Sequence, residues 1–256
     1  MCTVVILRRP GHAWPVLIGA NRDEMRDRPV LPPGRHWADR PEVTAGQDLL
    51  AGGSWMGLND HGVMAAILNR FGTLGPAADK RSRGELVLEA LDHADAADAV
   101  MALAELDGRA YRPFNMIVAD NTHGWWLRHA DRADGIIEAL PLPDGLSMIT
   151  GFDLNDTGAD PRLRHNLPAF HAAAVPEPEA GSWSGWMSLL ASRDAGGAEN
   201  DPRTAMCFLR PNGFGTVSSS LMALPAVGAA DPAVWLYAAG PPDQAEWTPV
   251  PMMGPG

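Results

Sequence analysis

A chain of 256 residues with 46% apolar residues can bury a sizeable core within one domain, expected to span 1–256 with 248–256 as a frayed tail. Its formal net charge of -11, with no cluster of Lys and Arg interleaved with aromatics, sets it against a phosphate backbone or an anionic membrane surface and excludes nucleic acid as a partner. No apolar run reaches the roughly 18 residues of a membrane span, the opening lacks a basic leader, and Cys2 and Cys207 are too few for a disulfide framework, so a soluble cytoplasmic protein is expected.

Two short apolar runs, 3–7 and 16–20, flank Arg8-Arg9-Pro10-Gly11 and read as the paired strands of a hairpin. In an antiparallel pair the free ends lie side by side, so Cys2 comes within reach of Asn21, Arg22, Asp23 and Glu24. Residues 28–43 carry four prolines, which excludes a helix or a central strand and leaves an extended, ordered loop anchored by Trp37. A second, buried hairpin is expected where 52–58 and 62–69 flank Asn59-Asp60-His61-Gly62. Ser82-Arg83-Gly84-Glu85 has the Ser-x-x-Glu form of a capping box, opening a helix that carries Leu86, Val87, Leu88, Ala90 and Leu91. A second helix over 94–106 would bury Val100, Met101 and Leu103.

Segments 114–119, 125–129 and 135–140 read as a meander and 145–150 as a further strand. Helices are expected at 161–173, disturbed by Pro168, and at 183–192; strand character returns at 205–210, 216–224 and 234–238. The order strands, helices, strands, helices, strands lacks strict β-α alternation. It predicts an α+β protein with two antiparallel sheets faced by helices.

The chemistry lies at the start of the chain. Removal of Met1, favoured by the small residue at position 2, leaves Cys2 with both its thiol and a free α-amine. Such an amine titrates near pH ~7.7 to 8.0 and can serve as a base beside the thiol without any histidine. A thiol of ordinary pKa ~8.5 is little ionised at neutral pH, and a neighbouring cation such as Arg22 lowers that value. Asp23 is placed to hydrogen-bond the α-ammonium, and Asn21 to orient the thiol or to donate to a substrate carbonyl. The competing structural reading makes Cys2 a small buried strand residue and Arg22, Asp23 and Glu24 an ion-pair network at a strand end.

Met1-Cys2-Thr3 together with Asn21-Arg22-Asp23-Glu24 resembles the NRDE family, also called the transport-and-Golgi-organisation family. Gly52-Gly53-Ser54-Trp55-Met56-Gly57, Leu68-Asn69-Arg70-Phe71, Arg83-Gly84-Glu85-Leu86-Val87, Tyr111-Arg112-Pro113-Phe114-Asn115 and Gly215-Thr216-Val217-Ser218-Ser219 extend the resemblance to about residue 225. It implies a four-layer αββα sandwich like that of the N-terminal-nucleophile hydrolases, in particular those whose N-terminal Cys cleaves bile-salt and penicillin amides. In such hydrolases the Cys attacks an amide carbonyl, its own amine shuttles the proton, and an Asn on a neighbouring hairpin holds the oxyanion; Cys2, Asp23 and Asn69 fit those positions. Arg22, Glu24, Trp55 and Arg70, in the matching segments, would line the binding pocket. The family is associated with haem trafficking, with lipid handling and, in animals, with Golgi organisation. The chain departs from these patterns at Ala20, where related hydrolases carry an Arg, and at Met148 and Val217, where many family members carry Asn and Arg.

Eight histidines are scattered without a His-x-x-x-His pair or a Cys-x-x-Cys-His motif, so no built-in metal or covalent haem site is expected and no cofactor is required. Haem could still be carried reversibly through one exposed His or Cys2. Two functional readings therefore stand: hydrolysis of a small non-peptide amide at Cys2, and carriage of haem or another lipophilic ligand in the same pocket. Cys207, inside Met206-Cys207-Phe208-Leu209, reads as a packing residue.

Overall fold

Side chains alternate between the two faces of every strand, and here both faces are apolar, so each sheet must be covered twice. The computed structural model describes residues 1–130, 132–196 and 203–252. In it, β1 (Thr3–Arg8) and β2 (Val16–Met25) form the first hairpin, with Thr3 opposite Asn21. The seven-stranded sheet follows chain order: β3 (Val30–Gly34), β4 (Val43–Asp48), β5 (Met56–Asn59), β6 (Met64–Asn69), β7 (Phe114–Ala119), β8 (Gly124–His129) and β9 (Glu138–Pro141). The first hairpin lies in a six-stranded sheet with β10 (Gly145–Ile149), β11 (Phe214–Leu224), β12 (Val234–Ala238) and β13 (Trp247–Pro249), in the order β10-β1-β2-β11-β12-β13.

Val4, Ile6, Val16 and Ile18 meet Met56, Leu58, Met64 and Leu68 between the sheets. One residue along, Val5, Leu7 and Leu17 pack on the opposite face against α3 (Pro161–Ala172) and α4 (Ser184–Leu190), through Leu163, Trp186 and Leu190. Helices α1 (Gly84–Leu91) and α2 (Ala96–Ala104) cover the outer face of the seven-stranded sheet in the same way. Two antiparallel sheets between two helical layers thus form the expected αββα sandwich. Among the described residues no helix is long and apolar enough to cross a membrane.

Several local expectations are corrected. The proline-rich segment contributes β3, but only as an edge strand with a slipped register between Leu31 and Gly34, the one sheet position where prolines lose no ladder bond. Trp37 anchors it as expected, its indole N–H donating to the Gly52 carbonyl at 3.3 Å. The Ser82 capping box does not close: Ser82 Oγ accepts from Gly84 N, while Glu85 turns to Arg81 and to the Tyr111 hydroxyl. Met101 is 66% exposed, because Val100 and Leu103 already occupy the narrow buried stripe of α2. Residues 205–210 form no ladder beyond one bridge between Leu209 and Gly215. Residues 247–249, by contrast, are strand, and Val250 N donates to the Trp235 carbonyl at 2.8 Å, which ties down the start of the expected tail; 253–256 lie outside the described residues.

The loop before β5 is clamped to the start of α1 by two glycines in backbone contact. Ser54 N donates to the Gly84 carbonyl at 3.0 Å, and a Cβ on Gly53 would stand 2.4 Å from the Gly84 carbonyl carbon. Gly53→Ala should lower stability by about 1–3 kcal/mol through overpacking. Urea denaturation should show a lower midpoint at an unchanged slope.

Candidate active site

The Asn-Arg-Asp-Glu cluster belongs to β2, so the alternation of that strand sends its members to opposite faces. Asn21 points to the helical layer: its amide donates to the carbonyls of Leu190 and Met206, both at 2.9 Å, and its oxygen accepts from the Ser219 hydroxyl. Every polar atom of that side chain is committed, and the expectation that Asn21 orients the thiol is corrected. It is a buried tie between β2 and the chain after α4.

Asp23, on the same face and 2% exposed, is the hub. One carboxylate oxygen accepts from the α-ammonium of Met1 at 3.0 Å and from Arg162 Nη1 at 2.9 Å; the other accepts from the Thr216 hydroxyl at 2.8 Å. The backbone N–H of Asp23 donates to Cys2 Sγ at 3.3 Å, and the thiol faces the Asp23 carbonyl at 3.6 Å. One residue therefore touches both the chain's terminal amine and the thiol. Arg162, 3% exposed, also donates to the Met1 carbonyl at 2.5 Å and to Thr3 Oγ1 at 2.9 Å. Its place in the first turn of α3 is fixed by Asp160, which caps that helix by accepting from Arg162 N.

Cys2 itself faces the space between the sheets. Burial pushes its thiol up, and the Asp23 charge adds to the effect; the terminal ammonium, the Asp23 N–H and Arg22 pull the other way. Arg22 is thus on the expected side, but burial outweighs it, and the thiol stays protonated at neutral pH while Met1 is in place. The Arg22 guanidinium lies over the Trp55 ring, 4.3 Å from its centroid, with no carboxylate in ion-pair reach among the described residues. The Trp55 ring also lies against Gly46, where a Cβ would fall 2.3 Å from it.

A cleft of about 450 Å³ opens from the thiol. Asn69, at the end of β6, lines it and makes no side-chain hydrogen bond among the described residues, leaving its amide open to the cleft. Glu24 lies on the rim, with Oε1 accepting from Met25 N at 2.8 Å and Oε2 3.9 Å from Arg28. Arg70 is not brought to the thiol: it donates to Asn115 at 2.7 Å and pairs with Asp153 at 2.7 Å, lining a different cavity. Expected to line the binding pocket, Arg70 thus lies outside the thiol cleft, because its backbone N–H donates to the Pro113 carbonyl and its side chain turns to β7. Ala20, where related hydrolases carry a cation, sits in the inter-sheet core. Met148 packs in the outer core, and Val217 falls at the bulge where the β2–β11 register shifts.

Two arginines went unread in the sequence. Arg162 approaches from 139 residues away in the chain. Arg83, immediately before α1, lines the cleft, where the Glu24 carboxylate and an ionised Cys2 thiolate would favour its charge; burial, with repulsion from Arg112, lowers its pKa to about 10. The signal for Arg83 was present in the Arg83-Gly84-Glu85 segment, but nothing local says which face it takes. Among the described residues no group of three or more His, Cys, Asp or Glu side chains could hold a metal ion.

The family model described as Transport and Golgi organisation 2 matches residues 1–138. The Transport and Golgi organization protein 2 homolog of Bos taurus is 32% identical over 114 residues, which cover 43% of this chain and 40% of that protein, so the match spans about two-fifths of the relative. Among solved structures, the Caenorhabditis elegans ortholog of N-acylethanolamine-hydrolyzing acid amidase superposes with a TM-score of 0.52 at 16% identity, covering 98% of this chain and 100% of that one. A mutant of the conjugated bile acid hydrolase of Clostridium perfringens superposes with a TM-score of 0.51 at 10% identity, covering 99% and 97%. At such identities the likeness shows the fold.

Removing Asp23 strands the Arg162 charge in the interior, so Asp23→Ala should destabilise by about 3–5 kcal/mol in equilibrium denaturation. The two cysteines should separate by alkylation. The Cys207 thiol donates to Asp243 at 3.2 Å and is pushed up to about 12 by burial and that carboxylate. Iodoacetamide between roughly pH 6 and 10 should label Cys2 and spare Cys207, with the Cys2 rate still rising above the ordinary thiol pKa of ~8.5. Peptide mass mapping reads both.

Proposed function

The chain belongs to the Transport and Golgi organisation 2 family and has the fold of the N-terminal-nucleophile hydrolases, and on that premise we propose that it hydrolyses a small non-peptide amide with Cys2 as nucleophile. The observation that carries the proposal is the double engagement of Asp23, 3.0 Å from the terminal amine through its carboxylate and 3.3 Å from the thiol through its N–H. Once Met1 is removed, the amine belongs to Cys2, and nucleophile and base share one residue.

In the proposed reaction the neutral amine of Cys2 takes the thiol proton, and the thiolate attacks the amide carbonyl carbon. Asn69 donates its free amide to the oxyanion. The protonated amine then delivers its proton to the leaving nitrogen, and a thioester remains on Cys2. Water, deprotonated by the same amine, attacks the thioester; the thiol leaves with that proton, and the acid is released. Asp23 orients the amine throughout, with Arg162 and Thr216 fixing its carboxylate. Arg22 and Arg83 give the thiol the cationic surroundings that Ala20 does not supply.

Haem carriage draws on the same cleft with less support. Among the described residues no histidine lines it, so Cys2 alone would be the axial ligand, and burial keeps that thiol protonated.

The test is turnover of a panel of N-acyl amides carrying a chromogenic amine. Cys2→Ala should abolish it, and Asn69→Ala should lower kcat by about 10²–10³ with little change in KM, as for loss of one oxyanion donor. Because the base acts as the neutral amine, kcat/KM should rise with pH as that amine loses its proton. Equal turnover by wild type and Cys2→Ala would remove the hydrolase reading.

A further inference from the structure

A second cavity, of about 330 Å³, lies against Met1 and beside Arg162, and neither the Cys2 thiol nor Asn69 lines it. Five arginines line it, Arg70, Arg162, Arg164, Arg203 and Arg210, against one carboxylate, Asp160. Arg70 and Arg162 are neutralised by Asp153 and Asp23. Among the described residues, Arg164 and Arg210 have no carboxylate partner. Arg164 donates to the carbonyls of Thr157 and Gly158, at 2.9 and 2.7 Å. The Arg210 guanidinium rests over the rings of Phe208 and Phe214, at 5.6 and 5.8 Å, with no carboxylate in ion-pair reach among the described residues. Asp160, which caps α3 and accepts from the Thr150 hydroxyl, carries one negative charge against the two.

The same cavity has an apolar wall. Phe71 is 56% exposed, yet its ring stacks on Phe152 with centroids 5.3 Å apart and planes 21° from parallel. An exposed aromatic stack beside an excess of guanidinium charge is a two-part surface, one part for an apolar body and one for a negative charge. In a chain of net charge -11 such a concentration of positive charge is a local exception.

We propose that this cavity binds an amphipathic organic anion, a carboxylate or sulfonate on a flat or extended apolar body. The anionic group answers the charges of Arg164 and Arg210, and the body lies against the Phe71–Phe152 stack. The inference stands on this cavity alone and does not rest on hydrolysis at Cys2.

Anilinonaphthalene sulfonate, an aromatic sulfonate whose fluorescence reports binding, is the probe. Titration of the full chain should saturate at one probe per chain and weaken as salt is raised. Phe71→Ser, at a largely exposed position, and Arg210→Gln should each weaken binding by roughly tenfold, the loss of one stacking or charged contact. Cys2→Ala should bind as the wild type does, whatever its effect on amide turnover. Unchanged binding in both Phe71→Ser and Arg210→Gln would overturn the proposal. So would loss of binding in Arg112→Gln, which would put the probe in the thiol cleft.

Discussion

A carboxylate cannot stay charged in a protein interior unless its partners replace the water it has lost. Asp23 meets that condition through Arg162, the terminal ammonium and the Thr216 hydroxyl, and each partner comes from a different part of the chain. The interaction therefore ties α3 and β11 to the beginning of β1. Its worth lies less in net stability than in position. A buried pair of this kind often breaks even against an apolar substitute, whereas removing one member leaves an unpaired charge. The first residues of the chain are thereby held in one place, and the thiol next to them is held too.

From that constraint the site divides cleanly into two sides. The helical side holds the groups that fix position: Asn21, Asp23, Thr216 and Arg162. The inter-sheet side holds the groups open to a ligand: the Cys2 thiol, Arg22 over Trp55, and Asn69. The sheet itself makes this division, since neighbouring residues of β2 must point to opposite faces. A four-residue motif that reads as one cluster is thus divided between two faces, Asn21 and Asp23 towards the helices and Arg22 and Glu24 towards the cleft.

The fold was largely legible because its signals are local. Apolar runs bounded by turn residues marked the two hairpins and the meander, and helical spacing marked the four helices. Edges and ends were less legible: β3 hides in a proline-rich run, and 205–210 has strand composition without a ladder. That segment gives its polar backbone to other partners instead, with the Met206 carbonyl accepting from Asn21 and the Phe208 carbonyl from Thr216 N. In the site, strand pairing was enough to bring Cys2 to Asp23. It was not enough to place Asn21 or Arg70, where one residue of alternation or one turn decides the face. Arg162 and Arg83 depend on long-range packing that no local pattern encodes.

The proposed chemistry depends on which residue owns the amine beside Asp23. With Met1 present, the ammonium is one residue from the nucleophile and the thiol is held protonated by burial; with Met1 gone, Cys2 carries both groups. The direct measurement is the mass of the intact protein and of its N-terminal peptide. A chain beginning at Cys2 is the result required. Complete retention of Met1 would contradict it, because no free cysteine amine would then exist to act as the base.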